Sequence, residues 1–227
     1  MNDLSLSQYQ IILGGLLGDS SFYYKKGYVS FSQCERQLEY LNWKRNKLKL
    51  LHVGNVGQTV NKWMDNEYTR FYFNCYLKDG NHQDFIEYIH KNLYANSGRK
   101  KVSEKYLDCL TPLGLAVWWM DDGSMCLSKE NRYGKLSTNC FNYEENILIQ
   151  QYLKRKYDIT PSIKQEKGAY FLRFSVSNMK KLISVIYPYV CEVPSMIYKI
   201  DLRYVNKGCI GDDFSNVYHY IKSCYSK

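Results

Sequence analysis

The segment Ile12-Leu-Gly-Gly-Leu-Leu-Gly-Asp19-Ser20 is apolar, rich in small residues and closed by a carboxylate, and Leu115-Ala-Val-Trp-Trp-Met-Asp-Asp122-Gly123 closes in the same way. Its two acids, Asp19 and Asp122, lie 103 positions apart. One such Asp past a buried helix is an ordinary loop residue. The same unlikely combination occurring twice, in matching context, marks an internal duplication.

The segments after the two acids match in order. A short alternating strand comes first, Tyr28-Val-Ser-Phe-Ser32 in one half and Gly134-Lys-Leu-Ser-Thr-Asn139 in the other. An amphipathic helix is next, Glu35 to Leu51 with Leu38, Leu41, Leu48 and Leu51 inward, answered by Glu144 to Tyr157 with Leu148, Tyr152 and Leu153. A hairpin succeeds it, Val56 to Trp63 with Tyr68 to Leu77, answered by Ser162 to Glu166 with Ala169 to Ser177. A second helix closes each half, carrying Phe85, Ile86, Ile89 and Leu93 or Met179, Leu182, Ile183 and Ile186 at helical spacing. From the residues both halves read α-β-α-β-β-α. Ser7 with Gln10 has the form of a capping box, and Thr111-Pro112 that of an N-cap followed by Pro at the first helical position. Ala95-Asn-Ser-Gly-Arg-Lys-Lys101 is polar and Gly-bearing. The expected organisation is a first repeat over residues 1–95, a linker over 96–110 and a second repeat with a tail over 111–227, the tail from Asn206 reading as a final helix.

Gly14, Gly15 and Gly18 each cost a helix about 1 kcal/mol relative to Ala. Close packing of this helix against its counterpart, where Gly114 and Ala116 offer a similar surface, would compensate. If the two helices run parallel, Asp19 and Asp122 emerge side by side at the negative poles of both macrodipoles, a destabilising arrangement unless cations neutralise it. Paired carboxylates of this kind fit a hard divalent ion, Mg²⁺ or a similar cation such as Mn²⁺.

The remaining composition fits this picture. The chain of 227 residues carries a formal net charge of +9, which leans toward a polyanionic partner. Hydrophobic residues at 45% and charged ones at 23% argue against disorder. The apolar stretch around Leu113 to Met120 falls far short of the roughly 18 residues of a membrane span, so a soluble protein with no membrane partner is expected. The N-terminus resembles neither a secretory signal nor a transit peptide; an intracellular location is expected, cytoplasmic and organellar being indistinguishable. Eight cysteines without a C-x-x-C pair read as free, mostly buried thiols.

The two acid-terminated segments resemble the paired motifs of the LAGLIDADG homing endonucleases in their single-chain, two-repeat form. Leu110-Thr-Pro-Leu-Gly-Leu-Ala-Val-Trp-Trp-Met-Asp-Asp-Gly123 is especially similar to the yeast mitochondrial intron-encoded member, and the resemblance continues through Pro194-Ser-Met-Ile-Tyr-Lys-Ile200. In the first motif Gly15 stands where the family prefers Leu and Ser20 where it prefers Gly. The resemblance implies an α+β fold of two pseudo-symmetric αββαββα-type repeats, each with a saddle-shaped antiparallel sheet, joined through the packed motif helices. It also implies a monomer that hydrolyses both strands of a long duplex DNA site, with Asp19 and Asp122 as catalytic metal ligands. Asp121 is expected to support the helix end. Lys199 matches a family lysine that orients water and stabilises charge; its first-half counterpart is expected at Lys101, with Lys100 as the alternative.

The hairpin sheets would lie in the major groove, which admits a two-stranded ribbon. Alternation puts Arg70, Tyr72, Asn74 and Tyr76 on the DNA face of the first sheet, and Lys135, Ser137, Asn139, Arg173, Ser175 and Ser177 on that of the second. Gln58, Lys62, Lys164 and Gln165 would extend the surface. Binding through phosphate neutralisation should fall steeply with salt. Two competing functions share the scaffold: an intron RNA maturase, with the protein's own intron RNA as partner, and a DNA-binding regulator without catalysis. A metal-independent glycosidase using paired Asp residues fails on charge and on the absence of a carboxylate-lined pocket signature.

Overall fold

The computed structural model describes residues 4–63, 66–78, 82–94, 98–127 and 132–200. Helix α1 (Leu6–Leu17) starts from a capping box two residues earlier than expected. Ser5 Oγ accepts from the Gln8 backbone N–H at 3.3 Å, and Gln8 Oε1 accepts from the Ser5 N–H at 2.9 Å. Gln10, expected in a box with Ser7, is buried and turned across to helix α5 (Pro112–Asp122). Its Nε2 donates to the Cys109 carbonyl at 2.9 Å and its Oε1 accepts from the Thr111 N–H at 2.7 Å. Thr111 is the N-cap of α5 with Pro112 first in the helix, yet its own side chain makes no capping bond. Gln10 thus satisfies one of the orphan donors at that end.

From this anchor α1 and α5 run side by side in the same direction. A Cβ on Gly14 would lie 2.2 Å from the Gly114 carbonyl oxygen, and one on Gly18 would lie 2.5 Å from Asp121 Cβ. The contacts advance together along both helices, so the packing is parallel and the acid-bearing ends coincide. The backbone approach offsets what the glycines cost in helix propensity.

Each motif helix leads into an antiparallel sheet. In the first half β1 (Ser21–Tyr23), β2 (Tyr28–Cys34), α2 (Leu38–Lys47), β3 (His52–Val53), β4 (Gly57–Trp63), β5 (Asn66–Tyr76) and α3 (Gln83–Ile89) follow in order. The strands stand β1-β2-β5-β3, with β4 paired to the other stretch of β5. After the short helix α4 (Glu104–Asp108) and α5, the second half runs β6 (Gly123–Leu127), β7 (Arg132–Leu136), α6 (Tyr143–Tyr157), β8 (Ser162–Glu166), β9 (Ala169–Phe174) and α7 (Val176–Val190), with strand order β6-β7-β9-β8. Each repeat is therefore αββαββα, with β3 as a short addition in the first. The residue-based order α-β-α-β-β-α lacks β1 and β6, which begin within two residues of each acid and are too short for alternation to declare them.

The helices cover one face of each sheet. Phe31 and Phe73 stack at 5.0 Å beneath β2 and β5, and Trp119 meets Phe174 edge-on at 5.7 Å, pinning β9 to α5. Leu41, Leu48, Tyr152, Leu153, Phe85, Ile86, Ile89, Leu93, Met179, Leu182, Ile183 and Ile186 are buried as their spacing requires. The expected linker holds α4, whose Tyr106 is fully buried and donates its hydroxyl to the Leu13 carbonyl at 2.9 Å. Among the described cysteines Cys34, Cys75, Cys109, Cys126 and Cys140 are free thiols, and only Cys75 and Cys191 are buried, against the expectation of mostly buried thiols. Cys209, Cys224 and the tail from Asn206 lie outside the described residues. No helix among the described residues is long and apolar enough to cross a membrane.

Candidate active site

Asp19 follows the C-cap of α1 and is exposed; Asp122 is the last residue of α5 and is partly buried. Asp121, between the helix ends, has a fully buried side chain. Gln33 Nε2 donates both to Asp19 Oδ2 at 3.2 Å and to Asp121 Oδ1 at 2.9 Å, and the Asp19 N–H approaches Asp121 Oδ2 at 3.4 Å. Lys44 Nζ donates to Asp121 Oδ1 at 2.7 Å from an equally buried position on α2. Burial and the Asp121 and Asp19 carboxylates push the Asp122 carboxyl up to about 7, against the opposing pull of Lys100 and the Trp118 N–H. Burial likewise raises Asp121, with Lys44 countering it. The crowding of carboxylates is electrostatically costly, and is of the kind that bound cations relieve.

Two lysines bracket the acids in related positions. Lys100 Nζ donates to the Gly18 carbonyl at 2.6 Å, and Lys199 Nζ to the Gly123 carbonyl at 2.6 Å and the Asp121 carbonyl at 3.4 Å. Desolvation lowers the pKa of both, while the surrounding carboxylates oppose it. Lys101, expected at the first centre, is instead exposed, and its backbone N–H is tied to the Leu93 carbonyl. The structure therefore puts Lys100 where Lys101 was expected. Ser20, at the position of motif departure, buries a hydroxyl that has no hydrogen-bond partner among the described residues.

A cleft of about 240 Å³ joins Asp19 to Gln33, Cys34, Gln37, Tyr68 and Arg70, linking the acid to the face of the first sheet that the helices leave open. Arg70, Tyr72, Asn74 and Tyr76 share that face, opposite the buried Phe73 and Cys75. On β4, Gln58 and Lys62 pair with Phe71 and Glu67, so they fall on the other face; Thr59 and Asn61, paired with Arg70 and Tyr68, take the places expected for them. In the second sheet Lys135, Lys164 and Arg173 lie on the open face with Tyr133 and Phe171. Lys135 pairs with Glu166 at 2.6 Å, and Arg173 lies 4.4 Å from the Tyr133 ring. Gln165 pairs with Tyr170 on the covered face.

Ser175 and Ser177 are not strand residues. Ser175 is the N-cap of α7, its hydroxyl accepting from the Asn178 N–H, and Ser177 is in the first turn. Asn139 is exposed in a turn beyond β7, and Ser137 follows the strand with its N–H on the Asp122 carbonyl at 3.1 Å. Gln33 and Lys44 had no place in the expected site, although both carry a signal. Gln33 continues the inward line of Val29 and Phe31, and Lys44 sits between Leu41 and Leu48 on the apolar face of its helix.

A parallel pair of acid-terminated helices, each leading into an antiparallel sheet, repeats one architecture twice, and sequence comparison says whose it is. The model of the LAGLIDADG DNA endonuclease family matches residues 9–182, and the chain belongs to that family. It is 30% identical over 211 residues to the cytochrome b mRNA maturase bI2 of Saccharomyces cerevisiae, covering 87% of this chain and 48% of that protein. It is 28% identical over 243 residues to Protein RecA of Mycobacterium leprae, covering 93% of this chain and 30% of the relative. The chain thus spans less than half the length of these two curated relatives. In three dimensions it is similar to the homing endonuclease I-WcaI bound to its DNA recognition sequence, with a TM-score of 0.76, 20% identity and 88% of each chain covered.

Proposed function

We propose that this protein is a site-specific double-strand DNA endonuclease that acts as a monomer inside the cell, residues 1–95 and 111–227 each serving one strand and 96–110 joining them. The observation that carries this reading is the convergence of Asp19 and Asp122 at the ends of two parallel helices, flanked by Lys100 and Lys199. The donor set fits a hard divalent ion. Asp19 and Asp122 present two carboxylates at neighbouring helix ends, the oxygen donors that such an ion takes, and among the described residues no cluster of three or more His, Cys, Asp or Glu side chains is set to hold a metal. Bound Mg²⁺ or Mn²⁺ would supply an acidic water and charge neutralisation at the scissile phosphate.

The chain's own groups would do the rest. Asp19 and Asp122 would hold the ions, with Gln33 fixing the Asp19 carboxylate, and Lys100 and Lys199 would keep positive charge beside the phosphates. Arg70, Tyr72, Asn74 and Tyr76 on one sheet, and Lys135, Lys164 and Arg173 on the other, face the duplex over a long site. The test is Asp19→Asn and Asp122→Asn, each assayed with Mg²⁺ on a plasmid carrying the cognate site, taken as the uninterrupted junction if the reading frame lies in an intron. Each variant should bind and fail to make the double-strand break. Wild-type cutting of both strands by either would reject the site.

A second reading, an RNA maturase acting on its own intron, is supported by likeness to cytochrome b mRNA maturase bI2. Splicing of that intron by purified protein, undiminished in Asp19→Asn, would favour it. Retention of both acids favours cleavage.

A further inference from the structure

Asp121 is the asymmetric member of the site. The 103-residue repeat matches position 121 with Gly18, and the two face each other across the helix seam so tightly that a Cβ on Gly18 would lie 2.5 Å from Asp121 Cβ. Only one of the facing positions can carry a side chain. The second motif supplies a carboxylate there, and that carboxylate turns toward Asp19 of the first.

Three elements converge on it. Lys44 of α2 donates to Asp121 Oδ1 at 2.7 Å with both side chains wholly buried; Gln33 of β2 donates to the same oxygen at 2.9 Å and on to Asp19 Oδ2 at 3.2 Å; the Asp19 N–H meets Oδ2 at 3.4 Å. The Lys44 ammonium also lies 4.1 Å from the centre of the Tyr40 ring. Among the described residues Asp122 has no buried ion pair or amide of this kind, its carboxylate receiving the Trp118 indole N–H at 3.3 Å and feeling the charge of Lys100. On α6, the counterpart of α2, Lys154 and Arg155 are exposed and engage Asp158, Glu104 and Asp108 instead.

We propose that Lys44 is a positioning residue for one of the two cleavages: acting through Asp121 and Gln33, it holds Asp19 and not Asp122, so one strand depends on it and the other does not. The proposal rests on the endonuclease reading above. Without its cation the buried Asp121 carboxylate must turn toward water or lose its place, and Gln33 then loses the partner that aims it at Asp19.

The experiment uses Lys44→Met and the charge-neutral double variant Lys44→Met/Asp121→Asn. The strand served by Asp19 is first identified as the one Asp19→Asn leaves intact. In Lys44→Met, cleavage of that strand should fall roughly tenfold, the low end for removing a residue that orients a metal ligand. The other strand should change less than about twofold, so that circles nicked in a single strand accumulate. The double variant keeps the fold free of an unpaired charge and should retain the bias, because a neutral amide accepts from Gln33 and from the Asp19 N–H more weakly than the carboxylate it replaces. General loss of folding would lower both strand rates together. A crystal structure of either variant without DNA should show the Gln33 to Asp19 contact opened beyond hydrogen-bond length. An unchanged strand ratio in both variants, or an unmoved Asp19 carboxylate, would overturn the proposal. Absence of Mg²⁺-dependent cutting by the wild type would instead sink the endonuclease reading, leaving the crystallographic result to judge the positioning of Asp19 alone.

Discussion

Replacing Gly14 by Ala measures how much of the fold depends on the helix seam. On an open helix face the change should stabilise by about 1 kcal/mol through propensity. Here the new Cβ would lie 2.2 Å from the Gly114 carbonyl oxygen, 3.0 Å from its carbon and 3.0 Å from Val117 Cβ. The first of these is a backbone atom inside α5, so no side-chain rotation relieves it, and the two helices must part by about 1 Å to restore ordinary contact. Overpacking of this kind costs about 3 kcal/mol at the upper end of its usual range. Subtracting the propensity gain leaves a net loss of about 2 kcal/mol, or a fall in Tm of roughly 4–8 °C for a chain of this size. Gly98→Ala, where a Cβ would meet nothing within 4 Å, is the control and should leave Tm essentially unchanged. Thermal unfolding followed by circular dichroism gives both values. A Gly14→Ala protein as stable as the wild type, or more so, would show that the backbones do not meet as described.

Further expectations are independent of this one. Gln10→Ala removes the bridge from α1 to the Cys109 carbonyl and the Thr111 N–H, and should cost about 1–3 kcal/mol in urea unfolding by leaving buried groups unpaired. Asp158 accepts from Lys154 and from Lys181, which holds its carboxyl down at about 2. Its folded-state pKa is below the unfolded value, so its contribution to stability is present above about pH 4 and is lost as the pH falls through about 2. Carboxyl NMR titration should give a midpoint near 2 that rises in Lys181→Met. Lys100→Met should slow cleavage of one strand by about 10²-fold, as loss of a charge-stabilising group does, while Lys101→Met should change it less than about threefold. Equal effects from the two in a gel-based cleavage assay would contradict the placement of Lys100.

The motif acids, the duplication and the parallel helices were legible because glycine and a terminal carboxylate carry their physical reasons in their identity. Features without that property were lost. The stretch Ser5-Leu-Ser-Gln-Tyr-Gln10 contains two overlapping capping boxes, and the protein uses the first because Gln10 is committed to α5. Strand alternation runs on through Ser175 and Ser177 in sequence, whereas the chain stops at Phe174 to cap a helix with Ser175. Gln58, Lys62 and Gln165 lie on strands with polar residues on both faces, where the period of two does not say which face is which. Lys100 and Lys101 sit in a segment without period, so only the fold distinguishes them. Lys44 reads as one more basic residue near a helix C-terminus, the usual complement to the dipole. Its partner comes from the other half of the chain.

The seam between α1 and α5 also separates what can be exchanged in this molecule from what cannot. Residues on the open sheet faces pack against nothing in the seam, so their replacement leaves it untouched. A transplanted half must still present a glycine-width surface opposite Gly14 and Gly114, an amide at position 10 and a vacant Cβ opposite Asp121. Chimeras that respect those few positions inherit one shared interior. Those that ignore them force the two helices apart and take the acids out of register.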